Sequence, residues 1–261
     1  MIIKENIIPV DEIDDKQFLK MDEEVLPEEI IFFDLEHYVY KKPKCIGVFG
    51  ACIYNEKNRS LEVTQYMIEN RKEGLDILNL ALRYFQRMKE SGKKAISTFS
   101  GNNDFTVINY LFNKYNISYD FSKEFLSIDL QKAYERDIKT SIGLKKLEKI
   151  FDIERQGEVI SGSNLAKTFH KIMKDSDYIK RMPKEKIENI LLYNEQDVVN
   201  LFYIFTNWKK YIVINEEEDI LEEAEANDKN FSDDILDNNE ELENISGNKG
   251  SRKKVEEIIP K

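Results

Sequence analysis

Short apolar runs in the middle of the chain predict a sheet. Residues 30–36 (IIFFDLE) are apolar up to an acidic end, which is typical of a central buried strand. Residues 45–54 and 60–69 flank the polar turn NEKNR and predict a hairpin beside that strand. Two further strands are predicted at 94–99 and 125–130. The sequence therefore favours five strands in one domain.

Amphipathic segments predict the helices. Apolar residues at helical spacing indicate a helix over 74–90, which Gly92 ends. A second helix is predicted to begin near Asn103 or Asp104. The remaining predicted helices span 143–151, 163–174 and 183 to about 211, the last with Pro183 in its first turn. Strands followed by helices in this order predict an α/β fold whose mixed central sheet is flanked by helices.

The charge distribution changes the picture that net charge alone gives. The 261 residues carry a net charge of -11, which argues against a polyanionic partner. However, residues 1–27 carry a net -5 and residues 213–261 a net -10. Residues 28–212 hold 30 basic and 26 acidic residues, so the predicted domain is mildly basic. A nucleic-acid partner is therefore compatible with the composition.

The two ends are predicted to differ from the domain. Residues 1–27 form an acidic N-terminal arm, either loose or added to the sheet as an edge segment; both alternatives remain open. Residues 213–261 are rich in like charges and poor in aromatic residues, which predicts a disordered acidic tail. Such a tail either keeps the protein soluble or mimics nucleic acid, as a segment that docks a protein partner or inhibits the protein itself.

Cysteine usage and hydropathy bear on the cellular compartment. Cys45 and Cys52 share one apolar, strand-like segment with no turn between them, so we expect two reduced core thiols. We find no leader-like N-terminus and no apolar run of about 18 residues. These features predict a soluble cytoplasmic protein without a membrane partner.

Acidic residues supply the candidate chemistry. Asp34 and Glu36 are two residues apart, so an extended strand places both side chains on one face. Tyr193 and Asp197 are four residues apart and share a face of the last helix, close to its apolar stripe. The alternatives are an acidic pair at a solvent edge of a strand and a Tyr and an Asp at the margin of the stripe.

Asp104 stands at a strand-to-helix junction and completes the candidate set. An Asp in this position also makes a good helix cap. Its place in the chain favours a shared site: an acidic pair on the first predicted strand, an acid after a middle strand, then a Tyr-x-x-x-Asp motif in the last helix.

This arrangement resembles the DEDD-type 3′-5′ exonucleases of the ribonuclease H-like superfamily, in the branch whose third motif contains Tyr. The resemblance covers residues 28–212. It is closest to bacterial ribonuclease H-like exonuclease-type domains, in which a Leu-x-x-Leu-Glu segment (here 144–148) and an Asn-x-x-Asp-Val segment (here 194–198) recur.

The resemblance implies a ribonuclease H-like fold and a two-metal mechanism with Mg²⁺ or Mn²⁺. Asp34 would bridge both ions, Glu36 and Asp197 would complete the first, and Asp104 would hold the second. Tyr193 would orient the attacking water. The substrate would be an RNA or DNA 3′ end, and the product a 5′ nucleoside monophosphate.

Two residues depart from the pattern of many relatives. His37 stands where Thr often follows the acidic pair, and Asn103 stands where an aromatic residue often precedes the second-motif Asp. Phe105 follows that Asp instead, which leaves open a one-residue shift in the register of Asp104. Substrate contacts are expected from polar side chains near the acids, namely His37, Ser100, Asn102, Asn103 and Lys145.

Two other functions remain as alternatives. A noncatalytic nucleic-acid-binding or regulatory module would retain the fold with a weakened site. A phosphatase-like hydrolase would use Asp34 as its nucleophile, but such enzymes usually have Asp rather than Glu36 two positions later.

Overall fold

A computed structural model describes residues 1–157 and 160–212; the predicted tail, 213–261, lies outside the described residues. In the described part, the strands are β1 (Ile2–Pro9), β2 (Ile30–Tyr40), β3 (Lys42–Asn55), β4 (Ser60–Met67), β5 (Ala95–Thr98) and β6 (Leu126–Asp129). The α-helices are α1 (Asp76–Glu90), α2 (Asn102–Lys114), α3 (Phe121–Glu124), α4 (Leu130–Ile138), α5 (Leu144–Ile150), α6 (Gly162–Lys174), α7 (Tyr178–Arg181), α8 (Lys184–Thr206) and α9 (Trp208–Tyr211). Short 3₁₀ turns lie at Asp15–Gln17, Pro27–Glu29 and Arg71–Gly74.

One mixed sheet, ordered β1-β4-β3-β2-β5-β6, forms the centre of the fold. The hairpin β3–β4 and the edge strand β1 run antiparallel to their neighbours. Strands β2, β5 and β6 are parallel, so their carboxyl ends lie at the same edge of the sheet. The predicted α/β fold with a mixed central sheet flanked by helices is confirmed.

Strand β2 is buried on both faces. The alternation of its side chains between these faces determines where Asp34 and Glu36 point. Ile31 and Phe33 pack into one hydrophobic cluster, whereas Ile30 and Phe32 pack into the other. The second cluster contains the apolar residues of the C-terminal half of α8, from Val198 to Phe205. Because side chains alternate along a strand, Asp34 continues the face that carries Phe32, toward α8.

The predicted elements largely agree with the structure. Helix α2 begins at Asn102, and Pro183 precedes the first residue of α8 instead of lying inside its first turn. The predicted last helix is interrupted at Asn207, which separates α8 from α9. Helix α4 was not predicted, since only Leu130, Ala133 and Tyr134 are buried in it.

The N-terminal residues include an edge strand. Residues Ile2–Pro9 pair with β4 along their whole length, with Ile2 opposite Met67 and Pro9 opposite Ser60. Of the two alternatives for this segment, the added edge segment therefore describes these residues.

Cys45 and Cys52 are both buried and unbonded, as predicted. Among the described residues, no helix has both the length and the apolar composition needed to cross a bilayer.

Candidate metal centre

Three carboxylates from two elements converge at the middle of β2. Asp34 and Glu36 lie on β2, and Asp197 lies on α8, which packs across that face of the sheet. One oxygen of each side chain lies within 4.8 Å of the oxygens of the other two. We call Asp34, Glu36 and Asp197 the carboxylate cluster. Its spacing and oxygen-only ligands suit a hard divalent cation such as Mg²⁺ or Mn²⁺.

Burial and mutual repulsion raise the pKa values of the carboxylate cluster. Burial raises the pKa of Asp34 to about 6, against the opposing effects of the Asn194 hydrogen bond and of Arg155. The pKa of Glu36 is raised well above its usual value by burial and by the charges of Asp34 and Asp197. Burial and Asp34 likewise raise the pKa of Asp197. Three acids in this state favour either protons or a cation between them.

Asp104 lies beside the carboxylate cluster but outside the 4.8 Å group. It is buried near the start of α2, and the charges of Asp34 and Asp197, together with its burial, raise its pKa. Phe105 points into the hydrophobic core, with its ring centroid 6.1 Å from that of Phe33. Asp104, and not its neighbour, is therefore the α2 residue that is electrostatically coupled to the cluster.

Tyr193 stands one helical turn before Asp197, at the border between the core and the cluster. Burial, followed by the charges of Asp197 and Glu36, raises its pKa, so the hydroxyl keeps its proton at neutral pH. Two cations lie over the ring: Lys145 Nζ is 5.0 Å and the Arg155 guanidinium carbon 4.9 Å from the ring centroid. Cations at these distances are attracted to the face of an aromatic ring.

Arg155 is a component of the site that sequence reasoning missed. Its guanidinium donates to Asp197 and to both oxygens of Glu148, with Nε 2.8 Å from Glu148 Oε2. Asn200 Nδ2 donates to Glu148 Oε1 at 2.8 Å, which fixes the buried Glu148 carboxylate. Arg155 lies in a loop, where no periodicity indicates the direction of a side chain. The only available signal was the basic residue seven positions after Glu148.

A second missed group positions Asp34. Asn194 Nδ2 donates to Asp34 Oδ2 at 3.1 Å, and Gln65 Nε2 donates to Asn194 Oδ1 at 2.9 Å. Gly50 makes this approach possible, because a Cβ at that position would lie 2.1 Å from Asn194 Oδ1. Gly50 pairs with Asp34 on one side and with Gln65 on the other, so one row across the sheet holds the network.

The residues predicted to contact the substrate lie at different distances from the acids. His37 is half-buried with Nδ1 3.9 Å from Asp104 Oδ1, and burial lowers its pKa, so the ring is neutral at pH 7. Ser100 has a φ of 57°, and its backbone N–H donates to Asp129 Oδ1 at 3.0 Å. Asn102 and Asn103 are exposed at the start of α2.

Lys145 is exposed on α5, and its Nζ donates to the carbonyl of Ile160 at 3.3 Å. The same Nζ lies over the ring of Tyr193, the residue one helical turn before Asp197.

Comparison with known proteins extends these observations. A protein-family model described as RNase_H superfamily matches residues 31–209, which include every residue of the carboxylate cluster and Asp104. No curated protein matches the chain. The matched family indicates nuclease-type activity and a nucleic-acid substrate, and nucleases of this kind generally use divalent metal ions.

Proposed function

This chain belongs to the RNase H superfamily, and from that premise we propose that it is a metal-dependent 3′-5′ exonuclease of the DEDD type. It would hydrolyse phosphodiester bonds of RNA or DNA and release 5′ nucleoside monophosphates. The observation that carries the proposal is the convergence of Asp34, Glu36 and Asp197 within 4.8 Å. The 3′-5′ polarity rests on the resemblance of the Tyr-x-x-x-Asp motif.

The donor set fits divalent ions. Asp34, Glu36 and Asp197 would hold one ion, and Asp34 with the adjacent Asp104 would hold the other. Bound there, Mg²⁺ or Mn²⁺ would neutralise charge on the phosphate and make a water more acidic. The raised pKa values of these carboxylates support this reading, because a cation would replace the protons that the apo cluster favours.

The chain's own groups would position the reactants. The Tyr193 hydroxyl, which keeps its proton, would orient the attacking water by a hydrogen bond and would not act as a strong base. Asn194 would hold the carboxylate of Asp34 in a fixed rotamer, since Asn194 is itself held by Gln65. His37, neutral and beside Asp104, would contact the terminal nucleotide.

One observation favours the noncatalytic alternative. Arg155 already pairs with Asp197, and a guanidinium that neutralised the cluster would reduce the need for an ion. However, Arg155 engages Oδ1 of Asp197, and a carboxylate has a second oxygen for a metal. The pairing is therefore compatible with catalysis.

The test is digestion of single-stranded RNA and DNA, each labelled at either end, with Mn²⁺ present. We expect shortening from the 3′ end by the wild type and none by Asp34→Asn, which cannot supply the same anionic ligand. Asp177→Asn, an exposed acid outside the site, is the matched control and should behave as the wild type. Binding without shortening by the wild type would favour the nucleic-acid-binding module.

A further inference from the structure

Arg155 has one donor without a partner. Among the residues that the structure describes, its Nη1 is buried and makes no hydrogen bond. The side chain is 10% exposed, so the atom is not simply solvated. A buried unpaired donor costs about 1–3 kcal/mol, and unpaired groups of this kind in folded proteins call for an explanation.

The rest of the guanidinium is fixed. Nε and Nη2 donate to the two oxygens of Glu148, and Nη2 also donates to Asp197. Asn200 Nδ2 donates to Oε1 of the same Glu148 carboxylate. Because a guanidinium is planar and rigid, these contacts leave Nη1 directed away from Glu148. Nη1 shares the guanidinium carbon with Nη2, which donates to Asp197. An acceptor bound to Nη1 would therefore lie next to Asp197.

The surroundings favour an anion as that acceptor. An arginine guanidinium stays protonated in proteins, so the group that carries the unpaired Nη1 donor is a cation. Lys145 adds a second positive charge on the Tyr193 ring. A phosphate oxygen matches an arginine fork better than a water does, because charge-assisted hydrogen bonds are shorter and stronger.

We propose that Arg155 Nη1 donates to a non-bridging oxygen of the terminal phosphodiester of a nucleic-acid strand, and that Lys145, which lies over the Tyr193 ring, adds positive charge to this subsite. This assignment rests on the proposed function. In it, Glu148 and Asn200 are positioning residues that hold the guanidinium, and Arg155 links the phosphate to Asp197. The phosphodiester is then fixed from one side by the arginine while the carboxylate cluster holds ions on the other.

The experiment measures binding instead of cleavage. Fluorescent single-stranded oligonucleotides, as DNA and as RNA, are titrated with full-length protein in Ca²⁺. Each strand carries either natural linkages or one stereopure methylphosphonate at the terminal linkage, which removes one charged oxygen. We expect the wild type to bind the methylphosphonate of one stereoisomer roughly tenfold or more weakly, as the loss of a charge-assisted hydrogen bond predicts.

Arg155→Lys should lose most of that discrimination, since a lysine held by Glu148 cannot present a second donor in the same place. Arg181→Lys, an exposed arginine paired with Asp175, is the matched control and should discriminate as the wild type does. Because Arg155 is largely buried and paired with Glu148 and Asp197, folding of its variant is a separate question. Lys145→Met therefore provides a second variant, on the surface, with the same expected direction.

The outcomes separate the two proposals. Equal penalties in the wild type, Arg155→Lys and Lys145→Met, in a protein that shortens strands in Mn²⁺, would overturn the subsite and leave the exonuclease standing. A wild type that neither binds nor shortens any strand would overturn both. If Arg155→Lys does not fold, equal penalties in the wild type and Lys145→Met, or no penalty in the wild type, would still contradict the subsite.

Discussion

Asp34 shows how the site works against the stability of the fold. Its pKa rises from 3.8 to about 6 on folding, so the folded state binds the proton more tightly than the unfolded state does. The resulting stabilisation is fully present below pH 3.8 and is lost as the pH rises through about 6. At neutral pH, and without metal, this stabilisation from the Asp34 carboxyl is therefore absent.

Asp34→Asn removes this charge and should stabilise the metal-free protein. In the presence of a chelator, we expect the variant to have a higher Tm than the wild type at about pH 8, and a smaller difference in Tm at about pH 4. Each kcal/mol of added stability should raise Tm by roughly 2–4 °C. Thermal unfolding followed by circular dichroism at both pH values measures it. A Tm difference that is independent of pH would contradict the raised pKa of Asp34, and Asp177→Asn should show no such trend.

Tyr193 gives a second prediction for a single residue. Tyr193→Phe removes the hydroxyl that would orient the water but keeps the aromatic ring that Lys145 and Arg155 contact. We expect kcat to fall by roughly tenfold to a hundredfold with little change in KM, because misplaced reactants slow chemistry more than binding. Tyr203→Phe on the same helix is the control. An unchanged kcat would remove Tyr193 from the mechanism.

The sequence predicted some residues of the site and missed others. Asp34 and Glu36 follow from the period of a strand, and Tyr193 and Asp197 from the period of a helix, because both periods state which side chains share a face. Arg155 follows from neither, since it lies in a loop and meets Asp197 only through the tertiary fold.

At the scale of elements, the close approach of α8 to β3 holds the site together. Gly50→Ala would place a Cβ 2.1 Å from Asn194 Oδ1, so Asn194 must leave its hydrogen bonds to Asp34 and Gln65. We expect a loss of about 1–3 kcal/mol in unfolding free energy and slower cleavage. Gly74→Ala, where no atom lies within 4 Å of the added Cβ, is the matched control.

Denaturant unfolding and the digestion assay together test this prediction. Gly50→Ala with wild-type stability would show that α8 adjusts without cost, and the glycine would not explain the position of Asn194.

The sequence predicted those strands and helices in which apolar residues follow a regular spacing. The apolar run of β2 and the apolar stripe of α8 predicted both elements, because these residues are buried in the hydrophobic clusters. Helix α4 was missed, since charged residues outnumber its buried ones, although Asp129 caps it by accepting from the Gln131 N–H. The edge strand β1 was left open because its buried face is narrow and its pattern weak.

At the scale of the whole molecule, charge is unevenly distributed between the ends of the sequence and the domain. Within the domain, alternate residues of β2 pack into the two hydrophobic clusters, and the carboxylate cluster lies where this strand meets α8. The acidic surplus of the sequence lies mainly in residues 1–27 and 213–261, so a mildly basic domain surrounds an acidic centre. This charge arrangement allows a polyanion to approach while carboxylates remain available for cations.

The central claim is that Asp34, Glu36 and Asp197 form a metal site, and anomalous diffraction from crystals grown with Mn²⁺ tests it most directly. We expect a manganese peak between these three carboxylates and a second peak toward Asp104, with Arg155 still bonded to one oxygen of Asp197. A well-ordered cluster without manganese, at an ion concentration that saturates other nucleases of this superfamily, would contradict the claim.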